Sequence, residues 1–204
     1  MPSEPTVYIV DDDVSMRDSL SLLLGLKGFR TQIFANAEDV LTAYKKEWFG
    51  CLLADVRMPG MLGTALQEEF NKRGYALPIV VITAYADVAA ARTAFKAGAI
   101  DFLEKPVDED VLIDVIHSAI EVHAERQRAG APAANASANS AGLLTAREQQ
   151  VKELVAQGLQ VKKIAERLGI SPRTVEVYKS RVMQKLRVND VTDLAQNSNS
   201  RNSR

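Results

Sequence analysis

One cysteine in 204 residues, Cys51, leaves no internal disulfide framework and no multi-cysteine zinc site, which fits a reducing compartment. Long apolar runs are also missing: none approaches the roughly 20 residues a bilayer-spanning helix needs. Met1-Pro2-Ser3-Glu4-Pro5 has neither the basic start nor the apolar stretch of an export signal. These absences point to a cytoplasmic protein that neither enters nor crosses a membrane. An excess of charge of one sign is absent overall, with a net −1, but the balance is uneven along the chain. Residues 1–128 hold 13 Lys+Arg against 20 Asp+Glu, and residues 129–204 hold 12 against 6. The basic C-terminal part therefore calls for a polyanionic partner such as nucleic acid, or else presents a solvated surface.

What is present is enough apolar material, 47% of residues, for one mid-sized domain and one small one. The first part alternates short β-branched runs with amphipathic stretches. Strands are expected at VYIV (7–10), TQIF (31–34), CLLADV (51–56), PIVVIT (78–83) and IDFLEK (100–105). Helical patterns cover 15–27, 37–46, 64–73, 87–97 and 108–128. Strands separated by helices pair in parallel through crossovers, with both sheet faces covered, so a doubly wound α/β domain with five parallel strands is expected. Residues 129–142, AGAPAANASANSAG, hold nothing that could build a core and read as a flexible linker. Beyond them no strand pattern remains. Thr145-Ala146-Arg147-Glu148 has the form of a capping box opening a helix to about Ala156. VKKIAERLG (161–169) forms a short helix ended by Gly169, and Ser171 caps a further helix that starts at Pro172. Two short helices meeting across Gly169-Ile170-Ser171 form a helix-turn-helix layout.

Polar residues gather where the five strands end. Asp11, Asp12 and Asp13 follow the first strand, Asp55 ends the third, Thr83 the fourth and Lys105 the fifth. The carboxyl edge of a parallel sheet is its ligand-binding edge, so these residues should converge. Crowded carboxylates need a cation, and oxygen-only donors suit Mg2+, which keeps several waters and accepts phosphate oxygens. Asp55 can act as a carboxylate nucleophile towards a phosphoryl group, with Lys105 and Thr83 stabilising charge on its oxygens. Taken singly, Asp11–Asp13 could merely cap a helix and Lys105-Pro106 could be a turn; four strand ends together favour a site.

The segments VYIVDDD, LLADVRMPGMLG, VVITAYAD and AIDFLEKP resemble the receiver domain of response regulators, in the FixJ-like subgroup. The resemblance covers about residues 6–122 and implies a flavodoxin-like fold. It implies Asp11, Asp12, Asp55 and the Arg57 main-chain carbonyl as the metal site, Asp55 as phosphoacceptor and Lys105 as the phosphate-binding lysine. It also implies Thr83 and Phe102 as coupled switch residues, with Phe102 turning inward as Thr83 moves, and a cis Lys105-Pro106 bond. Arg57 and Tyr85 would flank the approach of hydrolytic water. Residues 143–188 resemble the LuxR-type helix-turn-helix of FixJ and NarL regulators through T-x-R-E-x-x-V, I-A-x-x-L-x-I-S-x-x-T-V and K-L-x-V. Val151, Leu154, Val155, Ile164, Ala165, Leu168, Ile170, Val175, Val182 and Leu186 recur at helical spacings that can close a small core. The other face carries Arg173, Lys179, Arg181, Lys185 and Arg187, with Lys162 and Lys163 on the preceding helix. The resemblance implies base-facing roles for Glu176, Val177 and Ser180, and phosphate contacts from Lys162, Arg173, Thr174 and Lys179.

The domain plan is therefore a receiver over 1–122, a helix extension and linker over 123–142, an all-α helix-turn-helix domain over 143–196, and a tail over 197–204. One departure is visible: VTDLAQ runs straight into NSNSRNSR, so the usual longer final helix that pairs two copies is cut short. Homodimerisation is then expected through the receiver, near 87–97 and 100–105. The remaining implied partners are a sensor histidine kinase, promoter DNA and RNA polymerase. A magnesium phosphatase of the haloacid-dehalogenase type also uses an aspartyl nucleophile on an α/β sheet, but places it at the first strand and adds a cap domain. A receiver whose output is protein binding is the other alternative.

Overall fold

The computed structural model describes residues 4–84, 93–94, 98–129, 144, 146–168, 170, 172–186 and 188. Five strands, β1 (Thr6–Val10), β2 (Arg30–Phe34), β3 (Gly50–Asp55), β4 (Ile79–Thr83) and β5 (Asp101–Glu104), form one sheet in the order β2-β1-β3-β4-β5. All four ladders are parallel, with Val10 opposite both Phe34 and Ala54, Asp55 opposite Ile82, and Thr83 opposite Glu104. The three central strands are buried on both faces, which is why they read as continuous apolar runs rather than alternating ones.

Alternate residues feed two cores. Tyr8, Val10, Leu52, Ala54, Ile79, Val81 and Phe102 belong to one, together with residues of α2 (Ala37–Ala43) and α3 (Gly63–Lys72). Val7, Ile9, Leu53, Val80, Ile82 and Leu103 belong to the other, with α1 (Val14–Leu26) and α4 (Glu109–Ala129). Cys51 is fully buried among the latter, and burial pushes its thiol up to about 12, so it serves as a core residue. At the amino edge of the sheet Gly50 has φ +139° and lies so close to β1 that a Cβ would stand 1.9 Å from the Thr6 carbonyl oxygen. His123 of α4 lies beneath it, its Nδ1 3.1 Å from Gly50 N and 3.0 Å from Gly50 O. Burial lowers its pKa.

Expected and observed boundaries differ most at the second helix, which stops at Ala43 rather than 46. Tyr44 leaves the helix at ψ 133° and its ring stacks on Tyr75 at 3.7 Å, within an aromatic group that includes Trp48 and Phe70. The helix expected over 87–97 lies mostly outside the described residues, as do Tyr85, Thr145, Ser171, most of the linker over 129–142 and the region from 189 onward. The Lys105-Pro106 bond is cis, as the resemblance implied.

The C-terminal part contributes α5 (Ala146–Ala156), α6 (Val161–Leu168) and α7 (Pro172–Leu186). Their core is Val151, Leu154, Val155, Ile164, Ala165, Val175, Tyr178 and Val182, with Leu168, Ile170 and Leu186 half-buried at its margin. Tyr178, which the periodicity argument passed over, is completely buried there. Arg147 ties α5 to the end of α6, donating from Nη2 to the Leu168 carbonyl at 2.6 Å, which satisfies one of the open carbonyls at that helix end. Among the described residues no helix is long and apolar enough to cross a membrane.

Candidate phosphorylation site and DNA-binding helix

β1 and β3 are neighbours in register, so Asp11, just past the end of β1, and Asp55, the last residue of β3, come to the same edge of the sheet. Both are buried, at 3% and 8% exposure. The Lys105 ammonium bridges them, 2.7 Å from Asp11 Oδ2 and 2.7 Å from Asp55 Oδ1. Burial acts to lower the pKa of Lys105, but the hydrogen bonds and charge of the two carboxylates outweigh it and hold the ammonium above the usual lysine value. The second oxygen of Asp55 accepts the main-chain N–H of Arg57 at 2.6 Å. Thr83, 1% exposed at the end of β4, is next to this pair, because its carbonyl accepts the Lys105 N–H at 2.8 Å.

The acidic triplet divides its work. Asp13 is the N-cap of α1, its Oδ1 accepting from Ser15 N and Met16 N, so the capping alternative holds for this residue. Asp11 turns into the site, while Asp12 is exposed between them. Phe102 is 2% exposed in the core on the α2 and α3 side. Its ring is therefore already inside, where the resemblance implied an inward turn.

Gly63, at the start of α3, fits against the end of β3: a Cβ there would lie 2.3 Å from the Asp55 carbonyl oxygen. Gly63 N also donates to the Val56 carbonyl at 3.0 Å. Gly63→Ala must push Asp55 and α3 apart. A loss of about 1–3 kcal/mol in denaturant unfolding is expected, as for other overpacked sites, together with slower phosphorylation.

No group of three acidic, histidine or cysteine side chains converges as a metal cage among the described residues. The donor chemistry nonetheless fits Mg2+. Two carboxylates already share one cation, a third carboxylate stands exposed beside them, and an ion that retains its waters needs only such a partial set.

On α7, Glu176 and Ser180 are exposed, and Lys179 lies 3.7 Å from Glu176 in an ion pair. Lys162 and Lys163 are exposed on α6. The side chains of Arg173, Thr174, Val177 and Arg181, and all of Arg187, lie outside the described part. Lys185 requires a correction. It is not on the open basic face but half-buried against α5, where Nζ donates to Glu148 Oε2 at 2.6 Å. Glu148 is wholly buried, and a carboxylate removed from water demands a charged partner.

The two halves touch. The Tyr178 hydroxyl donates to Asp101 Oδ1 at the start of β5, and the same oxygen accepts the Phe102 N–H at 2.7 Å. Ile170, in the turn between α6 and α7, packs against the receiver core on the α4 side as well as against its own domain.

Comparisons with known proteins agree with this division. Residues 7–117 match the response regulator receiver domain, and residues 142–197 match the bacterial regulatory proteins of the luxR family. The transcriptional regulatory protein FixJ of Bradyrhizobium diazoefficiens is 41% identical over 95% of this chain and 94% of its own length. The C4-dicarboxylate transport transcriptional regulatory protein DctR of Rhodobacter capsulatus is 44% identical over 93% of this chain and 97% of its own. Among solved structures, full-length FixJ from B. japonicum superposes with a TM-score of 0.55 at 39% identity, covering 95% of each chain. The response regulator StyR gives a TM-score of 0.59 at 41% identity, over 95% of this chain and 98% of that one. Relatives that share both halves along nearly their whole length place this chain among the response regulators that join a receiver to a LuxR-type DNA-binding domain, regulating transcription in response to phosphorylation rather than acting as enzymes.

Proposed function

We propose that Asp55 takes the phosphoryl group from the histidine of a sensor kinase and that the receiver reports this to α7 through β5. The observation that carries the first step is the ammonium shared by Asp11 and Asp55. An Asp55 oxygen attacks phosphorus, the bond to the kinase imidazole nitrogen breaks, and its electron pair stays on the imidazole. Asp11, Asp12, Asp55 and the Arg57 carbonyl would hold Mg2+, which supplies positive charge against the phosphoryl oxygens. Lys105 turns from its two carboxylates towards those oxygens, and Thr83 donates to them. Phe102 packs behind Thr83 as the switch aromatic.

The second step rests on Asp101, whose one oxygen holds both the switch strand, through Phe102 N–H, and the recognition helix, through Tyr178. Glu176 and Ser180 remain exposed while this contact stands, so the receiver restrains the helix from its inner side rather than by covering these residues. Release lets the domain take its place in the major groove of promoter DNA, with Glu176, Val177 and Ser180 towards bases and Lys162, Arg173, Thr174 and Lys179 towards phosphates. RNA polymerase is the partner downstream, a second copy pairs through the receiver, and the cytoplasm is where the protein works. The functional units are 1–122, 123–142, 143–196 and 197–204.

Mobility-shift titrations of phosphorylated protein test the DNA assignment. Lys162→Ala should weaken binding equally for specific and random duplexes and flatten the salt slope by about one unit. Glu176→Ala should instead relax preference at one base position, at a cost of about 1–3 kcal/mol. An unchanged set of selected sequences for Glu176→Ala would reverse the proposed orientation of α7.

A further inference from the structure

Three residues of α1 are buried, Arg17, Leu20 and Leu24, and the first is a cation. They recur at i, i+3 and i+7, the spacing of an inward stripe, so Arg17 occupies a core position. Arginine is seldom found there unless it has a partner of matching chemistry. At 9% exposure, its Nη1 donates to the main-chain carbonyl of Asp11 at 2.6 Å. That carbonyl lies just past the end of β1.

Every polar oxygen of Asp11 is consequently held. Arg17 takes the main-chain oxygen, the Asp13 N–H donates to Oδ1 at 2.9 Å, and Lys105 bonds Oδ2. Lys105 must let go for phosphorylation to proceed, and the Asp13 N–H belongs to the same short loop. Arg17 is the only one of the three donors fixed in a helix, whose first turn is itself anchored by the Asp13 cap. Lys105 pairs with both buried carboxylates, Asp11 and Asp55, and Arg17 holds the main-chain oxygen beside them. When Lys105 swings away, Arg17 stays.

We infer that Arg17 is a positioning residue for phosphorylation: by holding the Asp11 carbonyl it fixes the acidic loop in the geometry that binds the divalent cation. It touches neither the cation nor the phosphoryl group. The inference rests on the metal-site reading above, and the experiment distinguishes the failure of each.

The test uses the full chain and Mg2+ alone, with binding followed by amide chemical shifts, and then the Mg2+ dependence of labelling by a small acyl phosphate. Arg17→Met keeps the apolar stem and removes the donor. It should bind Mg2+ about 10–100-fold more weakly, the range found when outer partners of metal ligands are removed. The Mg2+ concentration for half-maximal labelling should rise in step, and the labelling rate should recover at saturating Mg2+. Leu20→Ala, on the same buried stripe, loosens α1 without touching the carbonyl and should leave Mg2+ affinity unchanged. Wild-type affinity in Arg17→Met overturns the inference, as does an equal loss in Leu20→Ala, which would trace the effect to general loosening. Absence of Mg2+ binding by the wild-type chain would overturn the metal site itself, and the role of Arg17 with it.

Discussion

Asp55→Asn should abolish phosphate incorporation from kinase or acyl phosphate, and with it any phosphorylation-dependent gain in DNA affinity. The carboxamide fills the same space but offers phosphorus a neutral, weakly nucleophilic oxygen in place of a carboxylate. The change also removes one of the two negative groups that hold Lys105. Asp11 still binds that ammonium, so the fold should survive and the thermal midpoint should stay close to wild type. Labelling with radioactive phosphodonor followed by peptide mapping reads the outcome. Undiminished label on another acidic residue of the variant, Asp11 or Asp12 above all, would move the phosphoacceptor away from β3.

Tyr178→Phe should have the opposite effect on DNA binding, raising it in the unphosphorylated protein. Only the hydroxyl is lost, and the ring still fills the core between Val175 and Val182. What disappears is a hydrogen bond to a buried carboxylate, and such bonds contribute about 1.5–3 kcal/mol. A shift of that size moves the balance between docked and released domains about 10–100-fold, by the same conversion of free energy into ratio. The variant should therefore bind promoter fragments without phosphodonor almost as well as phosphorylated wild type. Protease cleavage between residues 130 and 143 should also quicken. An unphosphorylated variant that binds DNA no better than wild type would show that Asp101 does not restrain the recognition helix. Helix-turn-helix dimers read two half-sites about 34 Å apart, so under the proposed restraint it is release that would give the domain the freedom such a spacing requires.

The sheet could be read from the chain because parallel strands buried on both faces leave uninterrupted runs such as CLLAD and IVVIT. The site could be read for a related reason: strand ends in such a sheet share one edge, so Asp11, Asp55, Thr83 and Lys105 had to meet once the strand order was known. Pairings that depend on three-dimensional register were less accessible. Lys185 and Glu148 are 37 positions apart and each looks like an ordinary surface charge, yet a half-buried ammonium pairs with a wholly buried carboxylate. Arg17 sits three residues before Leu20 on the apolar stripe of α1, a signal that was present in the sequence but easily taken for an interruption of the stripe. Tyr178 stands three after Val175 and four before Val182. That spacing held the signal for its place in the core, which the periodicity argument passed over, whereas nothing in the sequence marks its contact with Asp101, 77 positions earlier.

β5 is four residues long and forms the margin of the sheet. Lys105 follows its last residue and Asp101 is its first, so the candidate phosphorylation site and the contact with α7 lie at the two ends of a rod of about 13 Å, at 3.3 Å per residue. A strand inside the sheet would be clamped on both sides. This one is zipped to β4 alone, through the ladder from Val80 opposite Asp101 to Thr83 opposite Glu104. A pull on Lys105 would therefore work against a single row of main-chain bonds together with the packing of Phe102 and Leu103 in the two cores.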